Sequence, residues 1–511
     1  MSKSGHIVDL LVIGGGINGV GIARDAAGRG LSVVLCEQGD LSGATSWASS
    51  KLIHGGLRYL EHYEFRLVRE SLAEREVLLH IAPHLVHPLR FVLPHVPELR
   101  PAWMIRAGLF LYDHLSRRVS LPSSTSVDLR HDPLGAGLKP AFRKAFAYSD
   151  CQVDDARLVI ANARAAASLG ARVLVRTACV GAEVVDGVWQ LKLKDRDTDM
   201  QTPVNARALV NVAGPWVDEV AGSISGARSR KQTRLVKGSH IVVPRLHEGT
   251  HAYLLQNEDR RQVFVIPFEE RYSLIGTTEV EVEGIPDPLG ISAAEVDYLC
   301  RAVHRYFARR VQPQDVLWSF AGLRPLFGDS VTDLSAITRD YELDLELVDR
   351  NAPVLTVHGG KITTYRRLAE EVLAKLKPHL PYMKAPWTES IALPGGDMVN
   401  SDFDAFVERL VQEYRGFSKE LLLSLAHRHG TLCAQVLGPA QDVEALGQYF
   451  GGSLYAREID YLIDREWARS ADDVLWRRTK TGLAMSEQQR KNVADYLARR
   501  FEPVKAKTLD K

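Results

Sequence analysis

Chemistry in this chain begins at closely spaced glycines. Residues 9–13 form a short apolar run, and Gly14-Gly15-Gly16-Ile17-Asn18-Gly19 follows it directly, opening a small-residue helical pattern over 17–30. Residues 31–37 are a second apolar run, ending at Glu37. Strand, G-x-G-x-x-G turn, helix and strand within roughly 30 residues make a dinucleotide-binding unit. Gly14 permits the tight turn, Gly16 lets the backbone approach a pyrophosphate, and Gly19 lets the helix pack closely on the sheet. The helix N-terminus then turns its amides and dipole toward the phosphates. Glu37 can accept hydrogen bonds from ribose hydroxyls and would repel a 2′-phosphate, which disfavours NADP.

The fingerprint alone does not separate NAD from FAD. After Glu37 the chain runs through Gly39-Asp40-Leu41-Ser42-Gly43-Ala44-Thr45-Ser46, then Ser49-Ser50-Lys51 and Ile53-His54-Gly55-Gly56-Leu57-Arg58-Tyr59. Such small and hydroxyl residues suit backbone lying along an elongated cofactor. Far downstream, His358-Gly359-Gly360-Lys361-Ile362-Thr363-Thr364 repeats the sequence of strand, glycine turn and helix start. Amides there suit a polar ring edge. One fingerprint with two remote glycine turns fits FAD better than NAD.

Composition narrows the remaining classes. With 511 residues, 45% hydrophobic and 25% charged, the chain predicts two to four globular domains. Lys+Arg is 64 against Asp+Glu 63, so no global field draws in nucleic acid. The five cysteines are scattered without a C-x-x-C pair, which argues against a disulfide framework, a Cys-ligated zinc or an iron–sulfur cluster. No apolar run reaches the ~18 residues of a spanning helix. The N-terminus enters a strand pattern without a cleavable leader, so a cytosolic chain is expected.

The elements that must position these groups are read as follows. Helical patterns cover 71–79, 156–169, 293–307 and 364–375; strands cover 172–176, 180–185, 189–194, 208–212, 239–244, 263–267, 272–277 and 354–357. Residues 80–101 are Pro-rich and expected to be irregular, and beyond about 394 the strands are expected to stop. A boundary near 390 separates a mixed α/β body from a helical C-terminal domain.

Several blocks together resemble one family: IGGGINGVGIARDAAGRG, SSKLIHGGLRYLEHYEFRLVRE, AYSDCQVDDARLV, VNVAGPWVDEV, VKGSHIVVP, IGTTEVE, HGGKITTYR and WARSADDVLWRRTKTGL. They look like the aerobic, FAD-dependent glycerol-3-phosphate dehydrogenases, related to D-amino-acid oxidase. The one local departure is Trp47 in ATSWASS, where a small residue is more usual. The resemblance implies an α/β, glutathione-reductase-like FAD-binding fold, with an interleaved mixed-sheet substrate domain and a C-terminal helical cap. The expected division is 1–80, 145–225 and 335–388 for FAD, 81–144 and 226–334 for substrate, and 389–511 for the cap.

It also implies a homodimer held peripherally on the cytoplasmic side of the inner membrane. The reaction would move a hydride from C2 of sn-glycerol 3-phosphate to flavin N5, giving dihydroxyacetone phosphate, with electrons passed on to a membrane quinone. Cofactor contacts are expected at Gly14, Gly16, Asn18, Gly19, Glu37, Thr45, Ser46, Ser49, Ser50, Leu52, Cys179, Val180, Gly214, Gly359, Gly360, Lys361 and Thr363.

That reaction needs a cationic phosphate clamp, an acceptor for the C2 hydroxyl proton and positive charge near the flavin pyrimidine. Arg324, in Ala321-Gly322-Leu323-Arg324-Pro325 after an apolar strand, suits bidentate phosphate binding. Arg58 and Tyr59 are substrate contacts by the resemblance. Lys361 serves either the phosphate or the reduced flavin, and His54 and His240 both stand as candidates for proton transfer. Residues 100–118 interleave Arg100, Trp103, Arg106, Tyr112, Arg117 and Arg118 with large apolar side chains, which fits an element at an anionic membrane surface or else a buried amphipathic helix. No metal site is expected. The rival readings are an oxidase of the same fold that uses O2, an FAD enzyme for 2-hydroxy or amino acids, and an FAD-bearing docking protein.

Overall fold

The computed structural model describes residues 6–116, 120–226, 233–259, 261–326 and 340–502, in two compact units, 1–401 and 402–511. The first unit is built on two sheets. One has eight strands: β1 (Ile7–Ile13), β2 (Val33–Cys36), β7 (Arg172–Leu174), β8 (Thr177–Val185), β9 (Val188–Asp195), β10 (Gln201–Asn211), β17 (Glu342–Val348) and β18 (Ala352–His358). The other has ten: β3 (Leu52–Ile53), β4 (Val86–Pro94), β5 (Thr125–Asp128), β6 (Lys144–Val153), β11 (Arg234–Pro244), β12 (Ala252–Gln256), β13 (Gln262–Phe268), β14 (Tyr272–Gly276), β15 (Val280–Val282) and β16 (Trp318–Leu326).

In the first sheet β18, β10, β1, β2 and β7 run parallel in that order, and their near-continuous apolar sequences match burial on both faces. Helices α1 (Ile17–Gly28), α4 (Asp155–Ser168) and α7 (Tyr365–Leu376) pack together, with α1 between the other two. A buried cluster including Leu11, Val34, Trp189, Leu191, Val204 and Val354 joins the parallel strands to the antiparallel β8–β9 meander. Residues from the two ends of the unit thus share one sheet.

The second sheet carries a core in which β4, β11, β12 and β13 pack against α6 (Ala293–Tyr306) through Val92, Ile241, Tyr253, Val265, Leu299 and Val303. Three more helices belong to this unit: α2 (Phe65–Ile81), α3 (Ala102–His114) and the short α5 (Val217–Ser223). Helix α4 is capped by Asp154, whose carboxylate accepts from the Arg157 amide, and α6 by a Ser292–Glu295 capping box. Helix α1 has Gly16 as its N-cap, which offers no side chain to cap the first turn.

Three expectations need correction. The stretch 80–101 is not irregular throughout: β4 pairs with β6 from Val86 to Pro94. Pro88 is tolerated because β12 pairs on the other side only at Phe91 and Val92, leaving that edge open beside Pro88. Arg324 lies inside β16 rather than after a strand. The C-terminal unit is mainly helical, with α8 (Phe403–Glu413), α9 (Lys419–His429), α10 (Cys433–Leu437), α11 (Ala456–Glu466) and α12 (Glu487–Phe501), but it also holds the hairpin β19 (Tyr449–Gly451)–β20 (Leu454–Tyr455).

Candidate active site

The turn from β1 into α1 is closed to any larger residue. Gly14 has φ +123°, and a Cβ there would sit 2.5 Å from the Val212 carbonyl oxygen. A Cβ on Gly19 would sit 1.9 Å from the Gly14 oxygen. Glu37 accepts from the Gly15 and Gly39 amides, each at 2.7 Å, so the carboxylate is locked beside the turn. Burial raises its pKa above the ordinary carboxylate value, while those two amides pull it back down. Gly214, with φ +57°, has open space where a Cβ would stand. Val180 falls at an irregularity between Cys179 and Gly181 and is outside the β8–β9 register, 45% exposed. The Thr177 amide donates to the Glu37 carbonyl at 2.7 Å, which brings the start of β8, with Cys179 and Val180, to the end of β2 beside the fingerprint.

The strip 45–51 connects the two sheets. Ser46 Oγ accepts from the Ile17 amide at 3.0 Å, tying the strip to the start of α1. Thr45 donates to the Leu323 carbonyl at 2.6 Å, and Ser50 Oγ lies 2.9 Å from His240 Nε2. Asp155, fully buried at the head of α4, receives Ser49 Oγ at 2.7 Å and Lys51 Nζ at 2.8 Å. Lys51 itself has φ +57° and is 2% exposed.

Beneath the strip, glycines clear one face of the second sheet. In the β11–β16 register His240 faces Phe320, Gly238 faces Gly322 and Val236 faces Arg324, so alternation puts His240, Gly238, Phe320, Gly322 and Arg324 on one side. A Cβ on Gly238 would lie 2.8 Å from Arg324 Nη2, one on Gly276 2.0 Å from His240 Cδ2, and one on Gly322 2.9 Å from Ala48 Cβ. Each glycine makes room for a neighbour that crosses it. Arg324 donates to Thr277 Oγ1 at 3.1 Å and approaches Glu279 only to 3.8 Å. The His240 ring stacks on Phe320 at 5.0 Å, and Trp47 packs against Phe320 and Trp318. Burial, then the charges of Arg324 and Lys51, holds the His240 pKa well below its usual value, so the imidazole is neutral at physiological pH. Its Nδ1 is buried with no hydrogen-bond partner among the described residues.

The remote glycine turn closes this arrangement. Gly359 and Gly360 have φ +76° and +100°, and Asn18 Nδ2 donates to the Gly359 carbonyl at 3.3 Å. Thr363 Oγ1 accepts from the His54 amide at 3.3 Å. Lys361 Nζ sits 3.8 Å above the Tyr59 ring centroid, which brings the 359–363 turn onto the segment that carries Arg58. Leu52 is in β3, paired with β6 in the second sheet, as is His54's neighbour Ile53.

Residues expected from sequence to serve one site thus lie along one path, from Glu37 and Val180 past Gly14–Gly19 to the 45–51 strip and the 359–363 turn. Sequence reasoning missed the Lys51–Asp155 pair, the three facing glycines 238, 276 and 322, and the placement of Thr277. Only a glycine at every second position, as at Gly238 before His240 and Gly322 before Arg324, could have signalled the cleared face. Arg117 and Arg118 lie outside the described residues. An elongated flavin dinucleotide fits what is present: a cradle too tight for a Cβ at Gly14, room at Gly214, and a buried Asn18 Oδ1 with no hydrogen-bond partner among the described residues.

Residues 9–366 match the FAD dependent oxidoreductase family, and residues 386–506 match the C-terminal domain of alpha-glycerophosphate oxidase. The chain belongs to the FAD dependent oxidoreductases and uses FAD. It is 52% identical over 492 residues to the glycerol-3-phosphate dehydrogenase of Pseudomonas aeruginosa, covering 96% of this chain and 95% of that one. It is 49% identical over 482 residues to the D-erythritol 1-phosphate dehydrogenase of Brucella abortus, covering 94% and 96%. The solved glycerol-3-phosphate dehydrogenase from Bacillus halodurans complexed with FAD superposes with a TM-score of 0.74 at 25% identity, covering 97% and 95%.

Proposed function

We propose that this enzyme oxidises sn-glycerol 3-phosphate at C2 to dihydroxyacetone phosphate and passes the electrons to a membrane quinone. The observation that carries the reading is the cleared sheet face. It sets Arg324 and a neutral His240 on one surface, directly against the strip tied to α1. Bound FAD supplies the two-electron acceptor. Gly14, Gly16 and Gly19 admit its pyrophosphate, Glu37 its ribose, and Thr45–Leu52 with Gly359–Thr363 its flavin end.

The protein's own groups do the rest. Arg324 and Arg58 grip the phosphate dianion through charge-assisted, paired hydrogen bonds. His240 and His54 are the two groups assigned to the C2 hydroxyl proton, and the neutral state of His240 leaves it competent to accept one. Lys361 keeps positive charge at the turn facing Tyr59. Helix α3 supplies the membrane face: Trp103 is 71% and Phe110 56% exposed, with Met104 and Leu111 beside them, while Ile105, Leu109 and Tyr112 are buried. An apolar face of this kind suits insertion at the headgroup boundary. Among the described residues no helix is long and apolar enough to cross a membrane.

The test is anaerobic bleaching of the flavin by stoichiometric sn-glycerol 3-phosphate, D-erythritol 1-phosphate, a 2-hydroxy acid or an amino acid. The proposal expects fastest bleaching by the first. A faster response to the four-carbon phosphate would reassign the substrate, and bleaching by an acid alone would overturn the phosphate reading. Aerobic turnover that releases hydrogen peroxide in preference to reducing quinone would overturn the acceptor.

A further inference from the structure

The segment Gly55–Tyr59 carries Arg58, and its conformation is set from below by a buried polar group that the reaction does not use. The Gly55 amide donates to Tyr112 Oη at 2.8 Å. That hydroxyl in turn spends its proton on Asp150, at 2.8 and 2.7 Å from the two carboxylate oxygens. Asp150 is held by Arg75 Nη1 at 2.7 Å, and the same nitrogen donates to the Ser149 carbonyl at 3.0 Å. Tyr112, Asp150 and Arg75 are all buried. The fit around Gly55 is tight: a Cβ there would lie 2.6 Å from Leu72 Cδ2 and 2.7 Å from Tyr112 Oη. The next residue, Gly56, has φ +79° and lies under the Tyr59 ring, over which Lys361 sits.

We propose that Tyr112 is a positioning residue for substrate recognition: its hydroxyl anchors the Gly55 amide to the Asp150–Arg75 pair and so aims Arg58 at the substrate phosphate. This rests on the reading of Arg58 as a phosphate contact. A buried amide must find an acceptor, and here one hydroxyl, on α3, both satisfies the turn and couples it to a charge pair that joins α2 to β6. Loss of that single hydroxyl leaves the carboxylate with its guanidinium but frees the turn. Among the described residues Gly55 is then left with Asp150 Oδ1, 3.5 Å away, to accept its hydrogen bond.

The experiment is a pair of double-mutant cycles on the holoenzyme, with FAD content and thermal midpoint recorded for every variant. Tyr112→Phe is expected to lower kcat/KM for sn-glycerol 3-phosphate about three- to tenfold, mainly through KM, with full flavin. In an Arg58→Ala background the same change should have less than a twofold effect, while in an Arg324→Ala background it should keep its full size. Equal effects in all three backgrounds, no effect in any, or loss of flavin on Tyr112→Phe would each overturn the inference. An Arg58→Ala enzyme with unchanged kcat/KM would remove the phosphate-contact reading itself and the inference with it. An impaired Arg58→Ala enzyme with additive behaviour removes the inference alone.

Discussion

Arg324 shows what a single side chain can be asked to do. It lies across Gly238, donates to Thr277 and approaches Glu279 to 3.8 Å, on the cleared sheet face that it shares with His240. Losing a hydrogen bond to a charged partner costs about 1.5–3 kcal/mol, so Arg324→Ala should reduce kcat/KM roughly ten- to a few hundred-fold, with Arg324→Lys in between. Flavin content and thermal midpoint should barely move in either variant. If both lose flavin or unfold, the residue is structural and the clamp must be sought at Arg58 and Lys361. Gly16 offers a second measurement. A Cβ there would already reach to 3.1 Å from Ser46 Oγ, the acceptor for the Ile17 amide, so Gly16→Val presses on the strip as well as on the pyrophosphate's place. Purified Gly16→Val enzyme should be colourless; stoichiometric FAD in it would sink the N-terminal assignment. The fingerprint was legible because spacing, strand and helix lie within one short stretch. The Ser50–His240 contact was not, because 190 positions separate its members and only the closed fold joins them.

At the scale of elements, α3 repays comparison with its sequence. Its composition left open whether it is an interfacial element or a buried helix, since arginine, tryptophan and aliphatic residues alternate in both. The structure separates the two faces, with Ile105, Leu109 and Tyr112 inward and Trp103, Met104, Phe110 and Leu111 outward. It also engages the arginines at the protein surface: Arg100 pairs with Glu61 at 2.6 Å, and Arg106 donates to Ser124. The apolar face, more than the charge of these two, is therefore the part to test. Replacing Trp103 and Phe110 jointly by Ser should abolish flotation with liposomes while soluble turnover with an artificial acceptor persists. Unchanged flotation would place attachment elsewhere. Strand β4 was illegible for a related reason: prolines at 88 and 94 read as breakers, and only its open outer edge makes Pro88 acceptable.

For the whole molecule, one acid-sensitive feature lies far from the fingerprint. His247 and His251 lie tilted with ring centroids 4.7 Å apart, each edge-on to Tyr253, and burial lowers both pKa values to about 4 from the usual 6.5, with the second ring and then Arg245 adding to the effect at His247 and Asp132 opposing it at His251. The unfolded chain binds protons at these sites below pH 6.5 and the folded one only near 4. Their contribution is therefore full above 6.5 and is lost as pH falls from 6.5 toward 4. The thermal midpoint should drop across that window, and His251→Phe should flatten the drop; an unchanged slope would clear the pair of any role. The general plan of an α/β body followed by helices was readable from periodicity. The sharing of sheets was not, because β10 pairs with β1 and β18, and no local pattern announces such partners.

The hydrogen bond from Asn18 to Gly359 crosses 341 positions of chain. At ~5–20 residues per second, a ribosome makes the second partner roughly 20–70 s after the first. During that interval β1, α1 and β2 can pair, yet β10 and β18 are missing in turn and one flank of β1 stands unpaired. The glycine cradle is thus translated first and completed last. The contacts proposed for the pyrophosphate and ribose, at Gly14–Gly19 and Glu37, are translated early, and those proposed for the flavin end at 359–363 come last. The full set of contacts proposed for the cofactor exists only once the 359–363 turn has left the exit tunnel and folded back onto the first helix.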